Sequence, residues 1–342
     1  MPKRSAKSFN IAVVGATGLV GQEFLRLISL RQFPFKGLRL LASHRSAGKH
    51  LIVGEREEVV AEATPHSFED IDLAFFSASS EVSRELVPHA VKAGAVVIDD
   101  SKAFRLEPEC ALVVPEVNAA DLALHKGITA IPNCEVTPLV MTLWPLHKVN
   151  PIRRVIVDTY QAVSGTGASA IQELTQQTQA VLDGNKVSPH VYPHQIAFNV
   201  FPHVEPFLGS GYTREEINVI GETRKIMHAP ELKMSVTCAR VPVFVGHSLA
   251  VHVEFSKPFP VDDVQSVLHD APGLVLHDEP SVNLYPMPLT AAGRDEVFVG
   301  RIREDLSEPN GVALWIAGDN LRKGAALNAI QIAEELIARK LV

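Results

Sequence analysis

The sequence is short of cysteine, of aromatic residues and of any long apolar run. Cys110, Cys134 and Cys238 stand far apart in 342 residues, with no C-x-x-C pair among them. An odd, scattered set argues against a disulfide framework and against a zinc site. No uninterrupted apolar stretch approaches membrane-spanning length. The opening residues are basic, but the apolar run behind them is brief and passes straight into a glycine turn, so no secretory leader is expected. The formal net charge is −7 and no block of Lys or Arg stands out. That balance points to no nucleic-acid partner and no membrane surface, and to a cytoplasmic chain. With 46% apolar residues and 6% aromatics, the composition is that of a globular α/β protein long enough for two domains.

What is present is a regular alternation. Ile11–Val14 is a short, wholly apolar run suited to a strand buried on both faces. Val20, Phe24, Leu27 and Ile28 then recur at helical spacing. The segments 38–42, 71–78 and 95–100 read as strands, with a helix over 79–94 stopped by Gly94. Strand and helix in alternation predict a Rossmann-type, doubly wound parallel sheet. Beyond Cys134 the texture changes to longer strand-like runs at 152–167, 234–259 and 296–319, with helices at 168–184 and 213–227. This is a mixed α+β domain, expected as a sheet covered by helices on one side. Residues 185–211 form a long irregular excursion, and 320–341 a closing helix whose Gly324, Ala325 and Ala326 suit close packing. The expected division is a cofactor domain, 1–133 with 320–342, and a substrate domain, 134–319.

The stretch "VVGATGLVG" sets Gly15, Gly18 and Gly21 directly between a strand and a helix. Gly15 permits the tight turn, Gly18 lets the backbone approach a pyrophosphate, and Gly21 lets the helix pack close. The helix N-terminus offers free N–H groups to the anion. The turn Gly15, Ala16, Thr17, Gly18, Leu19 and Val20 is therefore a candidate dinucleotide cradle. The second strand ends in "LLASHRSAGKH" with no acid to accept from a ribose 2′-hydroxyl. Ser43, Arg45 and Ser46, with His44 and Lys49, can instead hold a 2′-phosphate, which favours NADP over NAD. Otherwise these residues are a solvated rim.

Cys134, in "AIPNCEVTPLV", lies between a Pro-Asn turn and a helix. It is either a small packed hydrophobe or a nucleophile favoured by a helix N-terminus. The motifs "GATGLVG", "IPNC", "TYQAVSGTG" and "RVPVFVGHS", in that order, resemble the aspartate-β-semialdehyde dehydrogenase family. The likeness extends to "SAGK", "VVPEVN", "GYTREE", "ETRKIM" and "DNLRKGAALNAIQIAE" and so covers nearly the whole chain. It implies NADPH-dependent reductive dephosphorylation of L-4-aspartyl phosphate to L-aspartate 4-semialdehyde, and the reverse. It also implies a place in lysine, threonine and methionine biosynthesis, and a homodimer or homotetramer joined through the substrate domain. By the same resemblance Cys134 is the nucleophile, Gln161 orients the acyl intermediate and His247 is the acid/base. Arg240 anchors the substrate carboxylate, Glu215 meets its amino group, and Arg105 and Asn133 grip phosphate. Asn320, Ser164, Gly165 and Ser77 fall beside the cofactor.

The chemistry is coherent without the resemblance. A thiolate can attack an acyl phosphate, expel phosphate and leave a thioester that accepts hydride, while a histidine shuttles the proton near neutral pH. His247 is one of fourteen histidines. Arg240 read alone could be a surface ion pair, and Gln161 an ordinary strand polar group. Four residues or turns depart from the family pattern. Asn218 stands where a Lys is usual, and Lys102, three before Arg105, is the candidate replacement charge. Glu135 follows the cysteine where a small hydroxyl is usual, and its carboxylate is expected to oppose thiolate formation. Leu249 and the turn 77–80 are the others. These departures leave open a related acyl phosphate or acyl-CoA as substrate, or a catalytically silent NADP-binding paralogue.

Overall fold

The structure is a computed structural model in which residues 8–342 are described; the basic residues 1–7 lie outside that range. β1 (Phe9–Val14) leads through the glycine turn into α1 (Leu19–Leu30) and β2 (Phe35–Ala42). The hairpin β3 (His50–Val53) and β4 (Arg56–Val59) follows, then β5 (Ala61–Glu62), β6 (Leu73–Phe76) and α2 (Ser80–Lys92). Next come β7 (Val96–Asp99), β8 (Ala111–Leu112), the single turn α3 (Pro115–Asn118), β9 (Ile128–Ala130) and α4 (Val136–Val149). The chain continues with β10 (Ile152–Gln161), α5 (Ala168–Leu182), α6 (Arg214–Ile226), β11 (Lys233–Arg240) and β12 (His247–Phe255). It closes with α7 (Val261–His269), β13 (Leu274–Leu276), α8 (Pro288–Ala291), β14 (Val297–Glu304), β15 (Gly311–Gly318) and α9 (Leu327–Ala338). Two compact units divide these elements: residues 8–132 with Ala325–Val342, and Asn133–Gly324.

The first unit holds a seven-stranded sheet in the order β5-β2-β1-β6-β7-β9-β8, parallel throughout. Strand residues alternate between two cores, as period-two geometry requires. Ile11 and Val13 join Phe24 of α1 and Ile330 of α9 on one face, while Ala12 and Val14 join Leu86 and Val87 of α2 on the other. Phe24 stacks on Phe75 of β6 with ring centroids 4.1 Å apart. α2 begins where Ser79 accepts the Val82 N–H. The strand order reverses beside β1, which puts the glycine turn at a switch point of the sheet, where such folds open a ligand crevice. The expected closing helix 320–341 is broken: Arg322–Ala326 is a π-helical turn ahead of α9. Asp319 causes the break by accepting the N–H groups of Leu321 and Arg322 through Oδ1.

The second unit holds a six-stranded mixed sheet in the order β11-β10-β12-β15-β14-β13. α4 packs against α6, α7 and β15, α6 against β11, and α7 against β13 and β14, which covers one face. On the other face Ile156, Asp158 and Tyr160 of β10, Ala250 and His252 of β12 and Trp315 of β15 stay partly exposed. Tyr160 and Trp315 rings lie 5.2 Å apart there. The run 234–259 is not one strand. It divides at 241–246, where the backbone leaves the sheet to pair with residues 161–164: Val241 N–H on Gln161 O, Val163 N–H on Val243 O and Ser164 N–H on Phe244 O. Residues 183–212 contain no helix or multi-residue strand. Buried Glu173 of α5 holds this segment by accepting the N–H groups of His190, Val191 and Tyr192, and Gln177 accepts those of Ile196 and Ala197.

Candidate active site

In the second unit, the ends of three adjacent strands bring the chemistry together. Gln161 ends β10 in register with Arg240, which ends β11. On the other side of β10, Tyr160 pairs with Ser248, so His247 opens β12 next to Gln161. Arg240 and His247 thus lie on different strands, and their odd separation needs no bulge. Cys134 and Glu135 come from the turn before α4. Val136 and Thr137 N–H groups both close on Asn133 O, and Asn133 Oδ1 accepts the Glu135 N–H at 3.1 Å. Asn133 therefore shapes the nucleophile turn itself, which leaves its Nδ2 group for an anion. Cys134 is partly exposed, immediately before the positive end of α4, where a thiolate is favoured.

His247 is 1% exposed and Glu135 0%. His247 Nδ1 accepts the Ala162 N–H at 2.9 Å, so the neutral ring carries its proton on Nε2. Burial, with Arg240 nearby, holds the imidazole pKa well below its usual value. Glu135 Oε1 lies 3.1 Å from His247 Nε2. Burial, reinforced by Glu215, raises the Glu135 carboxyl to about 8, so the contact joins two neutral groups and is no ion pair. The two atoms are not aligned for a hydrogen bond, and neither has another partner among the described residues. Cys134 Sγ donates to Glu135 Oε2 at 3.5 Å. Desolvation keeps this side chain protonated up to about pH 8, so the opposition to the thiolate expected from its charge applies above that pH.

Arg240 is buried and donates through Nη1 to Ala162 O at 2.7 Å. Gly165 lies against it: a Cβ there would come within 3.0 Å of Arg240 Nη1 and 3.3 Å of His247 Nε2. Arg240, Gly165 and Tyr192 line a cavity of about 340 Å³ walled by the irregular segment. Gln161 donates to Glu215 Oε1 at 3.4 Å. The neighbouring Glu216 has a different task, closing a capping box with Thr213 and accepting the Cys238 N–H. Asn320 pairs with Ser164 Oγ at 2.9 Å and accepts the Gly246 N–H at 2.9 Å, tying the His247 strand to the 163–165 turn. Leu249 is a buried sheet residue, and Asn218 is partly exposed on α6. Glu222 escaped the sequence reading; it accepts the Asn133 N–H at 2.6 Å. Its sequence signals are its place at the head of the "ETRKIM" motif and a spacing of two helical turns from Glu215.

The first unit carries the other candidates. Gly15 has φ +84°, and a Cβ on it would sit 1.9 Å from Ser77 O. Gly18 opens α1 with no side-chain capping bond among the described residues. The N–H groups of the first turn are thus presented to a ligand, and the bare cradle fits a dinucleotide pyrophosphate. Thr17 Oγ1 lies 3.4 Å from Ser46 Oγ across the turn, with Ser43 and Arg45 exposed or partly so beside it. A carboxylate does reach this strand end, from β5: Glu62 is in register with Ala42 and meets His44 at 3.2 Å. Arg105 is buried and donates to Asp100 O at 2.7 Å, whereas Lys102 is exposed. No helix among the described residues is long and apolar enough to cross a membrane.

Two family models match the chain: a semialdehyde dehydrogenase NAD binding domain over residues 10–125 and a semialdehyde dehydrogenase dimerisation domain over 143–323. Aspartate-semialdehyde dehydrogenase of Bacillus subtilis is 48% identical, over 98% of this chain and 99% of the relative. The crystal structure of aspartate semialdehyde dehydrogenase II complexed with ASA from Vibrio cholerae is similar with a TM-score of 0.94 and 40% identity, over 97% of this chain and 99% of that one. Aspartate semialdehyde dehydrogenase with NADP from Candida albicans is similar with a TM-score of 0.78 and 27% identity, over 98% of this chain and 100% of that one. With a dinucleotide cradle at one sheet switch point, and in the second unit a cysteine at a helix start and a histidine and an arginine at strand ends, the chain belongs to the aspartate-semialdehyde dehydrogenase family.

Proposed function

We propose that the protein catalyses the NADPH-dependent reductive dephosphorylation of L-4-aspartyl phosphate to L-aspartate 4-semialdehyde, and its reverse, through a thioester on Cys134. The observation that carries this reading is the meeting of Cys134, Glu135 and His247, with donor atoms within 4.8 Å of one another. Cys134 attacks the acyl carbon and phosphate departs, leaving the thioester. His247, the acid/base, is buried and its Nε2–H has no acceptor among the described residues, so it meets the oxygen of the thioester and of the hemithioacetal. Arg240 receives the substrate carboxylate by a charge-assisted fork, Glu215 its ammonium, and Gln161 holds Glu215 and the acyl group in line. The candidate phosphate donors are Arg105 and Lys102 in the first unit and, in the second, Asn133 Nδ2. Gly15–Val20, with Ser43, Arg45 and Ser46 on a 2′-phosphate and Ser77 beside the turn, would hold the dinucleotide, which would supply or take up the hydride. In the second unit, Ser164, Gly165 and Asn320 are the candidate cofactor residues.

The partly exposed face carrying Tyr160 and Trp315 supports a homodimer joined sheet to sheet. Such an enzyme works in the cytoplasm, in lysine, threonine and methionine biosynthesis. Formation of NADPH from NADP, phosphate and aspartate semialdehyde tests the activity. Wild type turns over and Cys134→Ala does not. Turnover only with another aldehyde, or cofactor binding without turnover, rejects the reading.

A further inference from the structure

We propose that Thr166 gives its hydroxyl hydrogen to the substrate carboxylate held by Arg240, and that Tyr192 aims that hydroxyl. The inference rests on the activity proposed above and names a further contact in the same pocket. A carboxylate offers about four lone-pair sites, and one guanidinium fork meets two of them. Arg240 already gives Nη1 to Ala162 O at 2.7 Å, so the remaining sites fall to another donor or to water. Thr166 and Tyr192 line the same cavity of about 340 Å³ as Arg240. Thr166 stands in the "SGTG" turn directly after Gly165, which lies against the guanidinium.

The orientation comes from Tyr192, whose hydroxyl donates to Thr166 Oγ1 at 2.9 Å. A hydroxyl that accepts in this way keeps its own hydrogen to give elsewhere. That hydrogen has no acceptor among the described residues. Burial raises the Tyr192 pKa, with Arg240 acting the other way, so the phenol stays a donor at neutral pH. Tyr192 is itself held at its backbone and at its ring. Its N–H reaches Glu173 Oε1 at 3.5 Å, and its ring meets Phe201 edge-on with centroids 5.6 Å apart. Phe201 in turn exchanges two backbone hydrogen bonds with Arg240, at 3.0 and 2.9 Å. The aimed hydroxyl and the guanidinium are thus tied to one another through Phe201. Thr166 is the binding residue of this arrangement and Tyr192 a positioning residue.

Wild type, Thr166→Val, Thr166→Ser and Tyr192→Phe separate such a contact from mere pinning of the cavity wall. KM and kcat for aspartate semialdehyde are measured for each, with calorimetric titration of L-aspartate, which carries the same carboxylate and ammonium. Thr166→Val keeps the shape of threonine and loses the donor. Its KM is expected to rise about tenfold with kcat little changed, and its Kd for L-aspartate to weaken in proportion. Thr166→Ser keeps both values within about twofold. Tyr192→Phe leaves the hydroxyl present but no longer aimed, and raises KM about threefold. A wild-type KM in Thr166→Val overturns the proposal. Equal losses in Thr166→Val and Tyr192→Phe overturn it as well, being the pattern of a bond that only pins the wall. So does a loss in Thr166→Ser as large as in Thr166→Val. A wild type that binds L-aspartate without oxidising aspartate semialdehyde rejects the activity, and the titrations alone then decide the contact. A wild type that does neither overturns both.

Discussion

Glu222 on α6 accepts the backbone N–H of Asn133 through Oε2 at 2.6 Å. The bond crosses from the helix that carries Glu215 to the residue before the nucleophile, and it is buried. Glu222→Ala leaves that N–H without its carboxylate. A buried donor deprived of its acceptor costs about 1–3 kcal/mol, so denaturant unfolding is expected to shift by that amount. Turnover falls as well, because the Cys134 turn loses its anchor, while affinity for the dinucleotide is unchanged. Equilibrium unfolding and a cofactor titration check the two halves.

Gly165 separates Arg240 from His247 with no space for a side chain. Gly165→Ala pushes the guanidinium and the imidazole apart. KM for aspartate semialdehyde is expected to rise and kcat to fall, with melting temperature little changed. A variant with wild-type kinetics would show that neither side chain needs its present position.

His247 works as a neutral donor. Its pKa is held well below the usual value by burial and Arg240, so lowering the pH through about 6.5 creates no imidazolium and no activity loss from this group. His247→Asn removes the Nε2–H, and kcat is expected to drop by about 10²–10³ with substrate KM nearly preserved. The pH–rate profile of wild type and the kinetics of the variant provide the check.

Arg45 stands in the short turn after β2 beside Ser43 and Ser46. Its guanidinium is the cation best placed in that turn for a 2′-phosphate. Arg45→Ala is expected to raise KM for NADP about tenfold, the effect of losing one charge-assisted contact, and to leave KM for NAD unchanged. Equal losses with both cofactors would assign Arg45 to the fold and not to the phosphate.

Glu135 also sets a pH dependence of stability. Its carboxyl is raised from 4.5 to about 8 in the folded chain. Across that window the folded state keeps a proton that the unfolded chain has released, so stability falls as pH rises. Glu135→Gln carries no such proton, and its unfolding free energy is expected to change less between the two pH values. Urea unfolding at both ends of the window measures the difference.

The parallel sheet and its glycine turn were legible because strands buried on both faces are short, unbroken apolar runs, as at Ile11–Val14. Cys134, Gln161, Arg240 and His247 stand in ordered motifs; the second unit brings the last three to neighbouring strand ends and sets Cys134 in the turn before α4. Periodicity could not reveal Glu222, whose partner lies 89 residues away. Nor could it reveal Glu62, brought beside Ala42 by strand pairing. Sequence proximity to a thiol showed the charge that Glu135 can carry but not its burial, which moves the appearance of that charge up to about pH 8. The break between β11 and β12 was missed because residues 241–246 are as apolar as a strand but give their hydrogen bonds to the 161–164 backbone.

One wall of the Arg240 cavity hangs from two side chains on α5, Glu173 and Gln177, and is pinned at Phe201 by a two-way backbone bridge to Arg240. Between those anchors such a wall can change its residues without moving a strand out of register. The selectivity of the pocket and the reactivity of its sulfur are thereby separable in heredity, one free to drift while the other is held fast.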